Sequence, residues 1–277
     1  MRFTSYSLFK HDVATRGFEY AAEHSMAIGF DAVEYISSFG EHEVVKTPKE
    51  ARVASEVLRA YKLPMSCYSF GADVLSDEPS VIERKFRNQV EIAAEFGAPY
   101  FHHTVVPHLA LAPQAPGYDE IFEKVIDIVN KISKYCNELG IVALYEPQGM
   151  YFNGISGLEK LYTELKSRGR DVGICYDFGN SLFVDVMPEL IGERFADRTK
   201  HVHIKDYIYT DKEIPDRKKY VTKGGMYLYD TEPGSGNVDF GKCFEYLKNY
   251  KGDVSFEMRY DDEKMKAAIE YIRSFVK

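Results

Sequence analysis

Short runs of β-branched and aromatic residues recur eight times along the chain, each followed by a longer stretch with apolar residues at helical spacing. Strand-like runs fall near Phe3–Leu8, Ala32–Ile36, Met65–Phe70, Tyr100–Thr104, Val142–Glu146, Gly173–Asp177, His201–Lys205 and Val254–Met258. Between them lie amphipathic stretches such as Pro48–Tyr61, Val81–Phe96 and Tyr118–Leu139, the last with Ile121, Phe122, Val125, Ile128, Val129 and Ile132 on one face. Gly97, Gly140, Gly169 and Gly252 stand just before the next strand, where glycine supplies a left-handed helix cap cheaply. Eight such units in 277 residues fit one α/β domain, a single (β/α)8 TIM barrel over 1–277. An open doubly wound sheet would carry fewer strands and a glycine-rich phosphate turn after the first, and no GxGxxG follows Phe3–Leu8. Two connections are longer than a barrel needs, about 105–117 and 207–237; the second carries Tyr207, Tyr209, Tyr220, Tyr227 and Tyr229, suited to packing the loop or to touching a ligand.

Composition narrows the function classes. With 45% hydrophobic residues, 18 Phe and 21 Tyr, the chain can bury a full core, so it is not a disordered segment. No stretch approaches the ~20 apolar residues of a membrane helix, and MRFTSYSLFKHD has no hydrophobic signal region. Cys67, Cys136, Cys175 and Cys243 form no CxxC pair and lie in apolar patterns, as expected of reduced thiols in a cytoplasmic protein. A net charge of −8 argues against nucleic acid, and the one dense basic run, Arg217-Lys218-Lys219, follows Asp211, Glu213 and Asp216 and reads as a solvated loop face.

Four residues that apolar strands would not otherwise carry fall at consecutive carboxyl ends: Glu146, Asp177, His203 and Glu257. In a barrel these ends converge on one mouth. Three carboxylates brought together repel unless protonated or neutralised by a cation, and a divalent metal is the simplest solution. Three oxygens and one imidazole suit Mn2+ first, with Mg2+, Co2+ or Zn2+ as alternatives. Lys205, two residues beyond His203, points to the same interior side, where it could hold a substrate oxygen, polarise a carbonyl or pair with a carboxylate. Arg259 stands in the same relation to Glu257. On the fourth strand His102 and His103 point to opposite faces; the one facing the mouth is a candidate proton relay or substrate contact, His103 being assigned the first role and His102 the second. His108, in the proline-rich loop, is a further substrate candidate.

The ordered strings LYEP (144–147), CYDFGN (175–180), HVHIKD (201–206), EPGSGNVDF (232–240) and SFEM (255–258) resemble the marks of the xylose-isomerase-like barrel superfamily, in particular its sugar-phosphate isomerases and epimerases. The resemblance implies one divalent metal held by Glu146, Asp177, His203 and Glu257. It also implies that Glu146 and Glu257 act as base and acid, removing a carbon-bound proton beside a carbonyl to give a stabilised enediolate. Free-ketose 3-epimerases of the family usually carry a histidine, a glutamate and an arginine where this chain has Asn180, Phe152 and Tyr209. Asn180, a further substrate-binding candidate, is similar to the L-ribulose-5-phosphate 3-epimerase branch, and GSG (234–236) stands where that branch commonly has GEG. The resemblance therefore implies an intact metal site and an altered substrate site.

The resulting expectation is a divalent-metal-dependent sugar or sugar-phosphate isomerase or epimerase acting on a small carbohydrate. A lyase on an oxidised sugar, like inosose dehydratases or C-glycoside deglycosidase catalytic subunits, keeps the same first step and ends in elimination. A homo-oligomer is compatible with either, and a small partner subunit with the lyase. An endonuclease IV-like repair enzyme shares the barrel but needs ligands for two more metals that Tyr68-Ser69-Phe70 and Asn180 do not supply.

Overall fold

In the computed structural model, residues 1–38, 44–258 and 261–276 are described, Ser38 by its backbone alone. The strands are β1 (Arg2–Ser5), β2 (Ala32–Ser38), β3 (Met65–Gly71), β4 (Tyr100–His103), β5 (Val142–Tyr145), β6 (Val172–Asp177), β7 (Thr199–Ile204), β8 (Asp206–Thr210), β9 (Tyr220–Val221), β10 (Tyr227–Thr231) and β11 (Asp253–Phe256). Eight of them close a parallel barrel in the order β1-β11-β7-β6-β5-β4-β3-β2. Helices packed around it include Ser7–Arg16, Phe18–Ile28, Pro48–Ala60, Pro79–Glu95, Tyr118–Glu138, Ile155–Ser167 and Asp262–Arg273. None of the described helices is long and apolar enough to cross a membrane.

Local sequence explains the joints. Helix Pro48–Ala60 starts on a capping box, Thr47 accepting from the Glu50 N–H while the Glu50 carboxylate accepts from Thr47. Gly97, Gly140 and Gly169 have φ of +69°, +74° and +75°, the left-handed turn expected of them, whereas Gly252 is not in that region. The first strand is shorter than the expected Phe3–Leu8: it stops at Ser5, and Ser7 already opens a helix that buries Leu8 and Phe9.

The barrel interior is layered. Cys67, Leu144 and Cys175 pack with Tyr100 and Val142 as the apolar side of the floor. Strand side chains alternate, so the residues two positions further on, Ser69, Glu146, Asp177 and His102, rise above that floor toward the mouth. The alternate residues, such as Tyr68, Phe101, Tyr145 and Tyr176, face outward into the core shared with the helices, where Cys136 and Cys243 also lie. All four cysteines are buried and unpaired.

The 207–237 segment is more regular than a loop. It holds β8, β10 and β9, a small antiparallel sheet. Asp185 ties this sheet to the chain after β6, accepting from Tyr209 Oη (3.0 Å), Thr222 Oγ1 (2.6 Å) and Gly224 N (2.6 Å). Tyr229 is fully buried, and Arg217 and Lys218 lie over the rings of Tyr229 and Tyr220 at 5.7 and 5.4 Å, so part of the basic run packs on its own sheet.

Candidate active site

The carboxyl ends of β5, β6, β7 and β11 bring Glu146, Asp177, His203 and Glu257 around one point. From His203 Nδ1 the distances are 3.3 Å to Glu146 Oε2, 3.6 Å to Glu257 Oε2 and 3.9 Å to Asp177 Oδ2. Glu146 Oε2, Asp177 Oδ2 and His203 Nδ1 are buried and carry no hydrogen bond. Buried polar atoms are ordinarily paired, so three such atoms turned toward one another mark a place for a cation. Two donors each about 2.1 Å from an ion stand roughly 3 Å apart at right angles, close to the spacing here. Cys175 lies near the same imidazole, in the apolar layer one step below the carboxylates, where burial pushes its thiol up to about 12.

Lys205 reaches into the cluster. Its Nζ lies 2.9 Å from Glu257 Oε2 and 3.5 Å from Asp177 Oδ2, and donates to Asn180 Oδ1 at 3.0 Å. Asp177 Oδ1 is held by the backbone N–H groups of Gly179 (2.8 Å) and Asn180 (2.6 Å), which leaves Oδ2 turned inward. The buried Asn180 has a free Nδ2. Burial raises the Glu257 carboxyl against the opposing charge of Lys205. Burial also pushes Glu146 upward, but His102 and His203 outweigh it and hold that carboxyl below its ordinary value.

The structure separates the two histidines of β4. His102 faces the mouth, its Nε2 3.2 Å from Glu146 Oε1 and its Nδ1 2.9 Å from Ser69 Oγ. His103 points the other way, into the helix layer, where its Nδ1 donates to the Thr104 carbonyl (2.9 Å), its Nε2 meets the Tyr145 hydroxyl (3.2 Å) and its ring packs edge-on against Phe86. Burial there lowers its pKa to about 3. The expectation of a catalytic His103 is therefore corrected: strand alternation turns it away from the site. His108 is also outside the cluster, on an exposed rim with Nε2 2.9 Å from Asp73. Arg259 lies outside the described residues.

Beneath the cluster lies a polar layer that the sequence reading missed. Glu34 of β2, fully buried, contacts Ser69, His201 and His203, and Tyr6 stacks on the His203 ring with centroids 5.2 Å apart. A signal was available in Ala32-Val33-Glu34-Tyr35-Ile36, where a charge sits in mid-strand between two residues that face the helices.

Above the cluster the mouth opens into two cavities that share Pro107, Gln148 and Glu257. The smaller, about 420 Å3, touches Glu146, His102, Tyr6 and Asp73. The larger, about 890 Å3, touches Lys205 and Asn180 on one side and Phe183, Tyr207, Tyr220 and Arg217 on the other.

A family model described as xylose isomerase-like TIM barrel matches residues 20–275. An inosose dehydratase from Geobacillus kaustophilus is 28% identical over 150 residues, 52% of this chain and 47% of that protein, so the chain spans about half the length of that curated relative. In three dimensions the chain resembles a D-allulose 3-epimerase from Methylomonas sp. (TM-score 0.74, 17% identity, 100% of this chain and 98% of the other). It also resembles a 3-keto-D-glucoside 4-epimerase from E. coli (TM-score 0.72, 19% identity, 99% of each chain). At these identities the structural likeness establishes the fold.

Proposed function

The chain belongs to the xylose isomerase-like TIM barrel family, and on that footing we propose that its mouth holds one divalent metal and removes a proton from the carbon beside a sugar carbonyl. The observation that carries this reading is the set of buried donors without hydrogen bonds, Glu146 Oε2, Asp177 Oδ2 and His203 Nδ1, facing Glu257. These four residues would hold the ion, Mn2+ being the proposed one. When bound, such an ion supplies a Lewis acid that stabilises negative charge developing on a sugar carbonyl oxygen.

The remaining chemistry belongs to side chains of this chain. Glu146 borders the smaller cavity and Glu257 the junction of the two, so a sugar seated between them has a carboxylate on either side. Glu146 takes the proton at one face, and Glu257 exchanges one at the other. Lys205, 2.9 Å from Glu257, orients that carboxylate and presents its ammonium to the larger cavity. His102 stands behind Glu146 with Nε2 3.2 Å from Oε1, and the free Asn180 Nδ2 offers a donor to a substrate oxygen.

Two outcomes share this step, return of the proton to give an epimer or isomer and expulsion of a β-leaving group. The epimerase outcome is the primary reading. Elimination is favoured by one observation: a cavity of about 890 Å3 lies in the range that holds drug-sized ligands, more than one sugar ring fills, and so suits a sugar bearing a substituent.

Incubation with ketoses, ketose phosphates and 3-keto-glycosides in deuterated water tests the reading: label enters the carbon whenever the intermediate is reprotonated, and the product, an epimer or isomer or an unsaturated sugar, shows which way it collapses. Glu146→Gln and Glu257→Gln should each lower exchange by about 10²–10⁴-fold. Undiminished exchange in both variants would remove their assigned roles. Purified protein should carry close to one equivalent of divalent metal, and fewer than ~0.2 under non-chelating conditions would count against the site.

A further inference from the structure

We propose that Glu34, which lines neither cavity, is a positioning residue for the metal centre: its buried carboxylate fixes the ring tautomers of His203, His201 and His102. The inference rests on the reading of the mouth as a metal site. Glu34 Oε1 accepts the Ser69 hydroxyl at 2.5 Å and faces His203 Nε2 at 3.1 Å; Oε2 faces His201 Nε2 at 2.7 Å. An ionised carboxylate can only accept, so both facing imidazole nitrogens must carry hydrogen. For His203 this leaves Nδ1, the atom surrounded by Glu146, Asp177 and Glu257, as the nitrogen available to an ion. The Tyr6 ring, stacked at 23° on His203, fixes the plane of the imidazole but is indifferent to which nitrogen is protonated.

The same constraint passes through Ser69. Its single hydroxyl hydrogen is committed to Glu34, so its oxygen accepts from His102 Nδ1 at 2.9 Å. In the neutral ring His102 Nε2 is thereby the nitrogen without hydrogen, standing 3.2 Å from Glu146 Oε1 and placed to accept a proton that this carboxylate takes up. One carboxylate thus orders both a proposed metal ligand and the partner of the proposed base. Barrel interiors are ordinarily filled by branched apolar residues, and a fully buried carboxylate is costly unless paired. At Glu34 the pairing itself orders the site, as a carboxylate behind a ligating histidine commonly does.

The test is Glu34→Gln in the full-length protein, with Mn2+ affinity read from the electron spin resonance signal of the free ion. A glutamine offers an N–H2 to one of the two imidazoles and so opposes its tautomer; the Mn2+ dissociation constant should rise about 10–100-fold while circular dichroism stays native. Affinity within twofold of wild type would overturn the proposal and leave the proposed function standing, whereas wild-type protein that takes up no ion overturns both. Should the variant fail to fold, long-range 1H–15N spectra of histidine-labelled, Mg2+-loaded wild type decide, with His203 assigned through its contact with Tyr6. Hydrogen on Nε2 of His203 supports the proposal, and hydrogen on Nδ1 overturns it.

Discussion

Asp206 follows Lys205 directly, and its buried carboxylate accepts the backbone N–H groups of Tyr207 (2.8 Å), Gly234 (2.9 Å), Gly236 (2.9 Å) and Val238 (3.1 Å). A Cβ on Gly236 would run into that carboxylate, so the EPGSGNVDF string is a backbone cradle for Asp206. Asp206→Ala would leave four N–H groups short of their acceptor and should cost about 2–4 kcal/mol in urea denaturation. A loss below about 0.5 kcal/mol, the level of an ordinary surface substitution, would show that the cradle closes on water instead. Motif strings were readable here without their physics: the sequence shows HVHIKD and GSG but not that one encloses the other. The same limit applies to β4, where alternation requires His102 and His103 to face opposite ways without saying which faces the mouth. Glu34 escaped notice because a lone mid-strand charge acquires a meaning only when His201, His203 and Ser69 are known to surround it.

Elements with strong apolar spacing were legible almost to the residue: the expected helix 118–139 is Tyr118–Glu138, and 81–96 is Pro79–Glu95. The small antiparallel sheet was not, because β9 has two residues and its rings serve packing, cavity and cation contacts at once. The 105–117 connection forms no strand or helix and is fixed from outside, by Gly149 three residues beyond Glu146. Gly149 has φ +68°, a Cβ there would strike the Val106 carbonyl, and Met150 N donates to His108 O at 2.9 Å. Gly149→Ala should therefore cost at least about 2 kcal/mol, from left-handed strain plus displacement of Val106. In a chain of this length that is a fall of roughly 4–8 °C in Tm. Because Pro107 and Gln148 sit where the two cavities meet, deuterium exchange should fall as well. A variant with unchanged Tm would show that the two segments yield to each other freely.

At the scale of the molecule, counting strand and helix units leads to a closed barrel, but not to how its first and last units are joined. β1 pairs with β11, and Arg2 forms a two-pronged ion pair with Asp253 across that seam at 2.6 and 2.8 Å. A second clasp lies among the helices: His24 of Phe18–Ile28 meets Asp12 of Ser7–Arg16 at 2.8 Å and Asp262 of Asp262–Arg273 at 3.1 Å. Partial burial pushes the His24 pKa down, and the hydrogen bonds to the two aspartates outweigh it, so the folded value is raised above the ordinary 6.5. A raised histidine binds its proton more tightly in the folded state. Its contribution is fully present below the unfolded pKa and is lost as pH climbs through the folded one. With Asp262 half exposed and its share screened, His24→Gln should cost about 1–2 kcal/mol at pH 5.5 and clearly less at pH 9. Urea denaturation of wild type and variant across that range measures the difference. A penalty that stayed constant, or grew toward high pH, would mean that His24 holds the seam as a neutral ring and that the charge plays no part in closing the barrel.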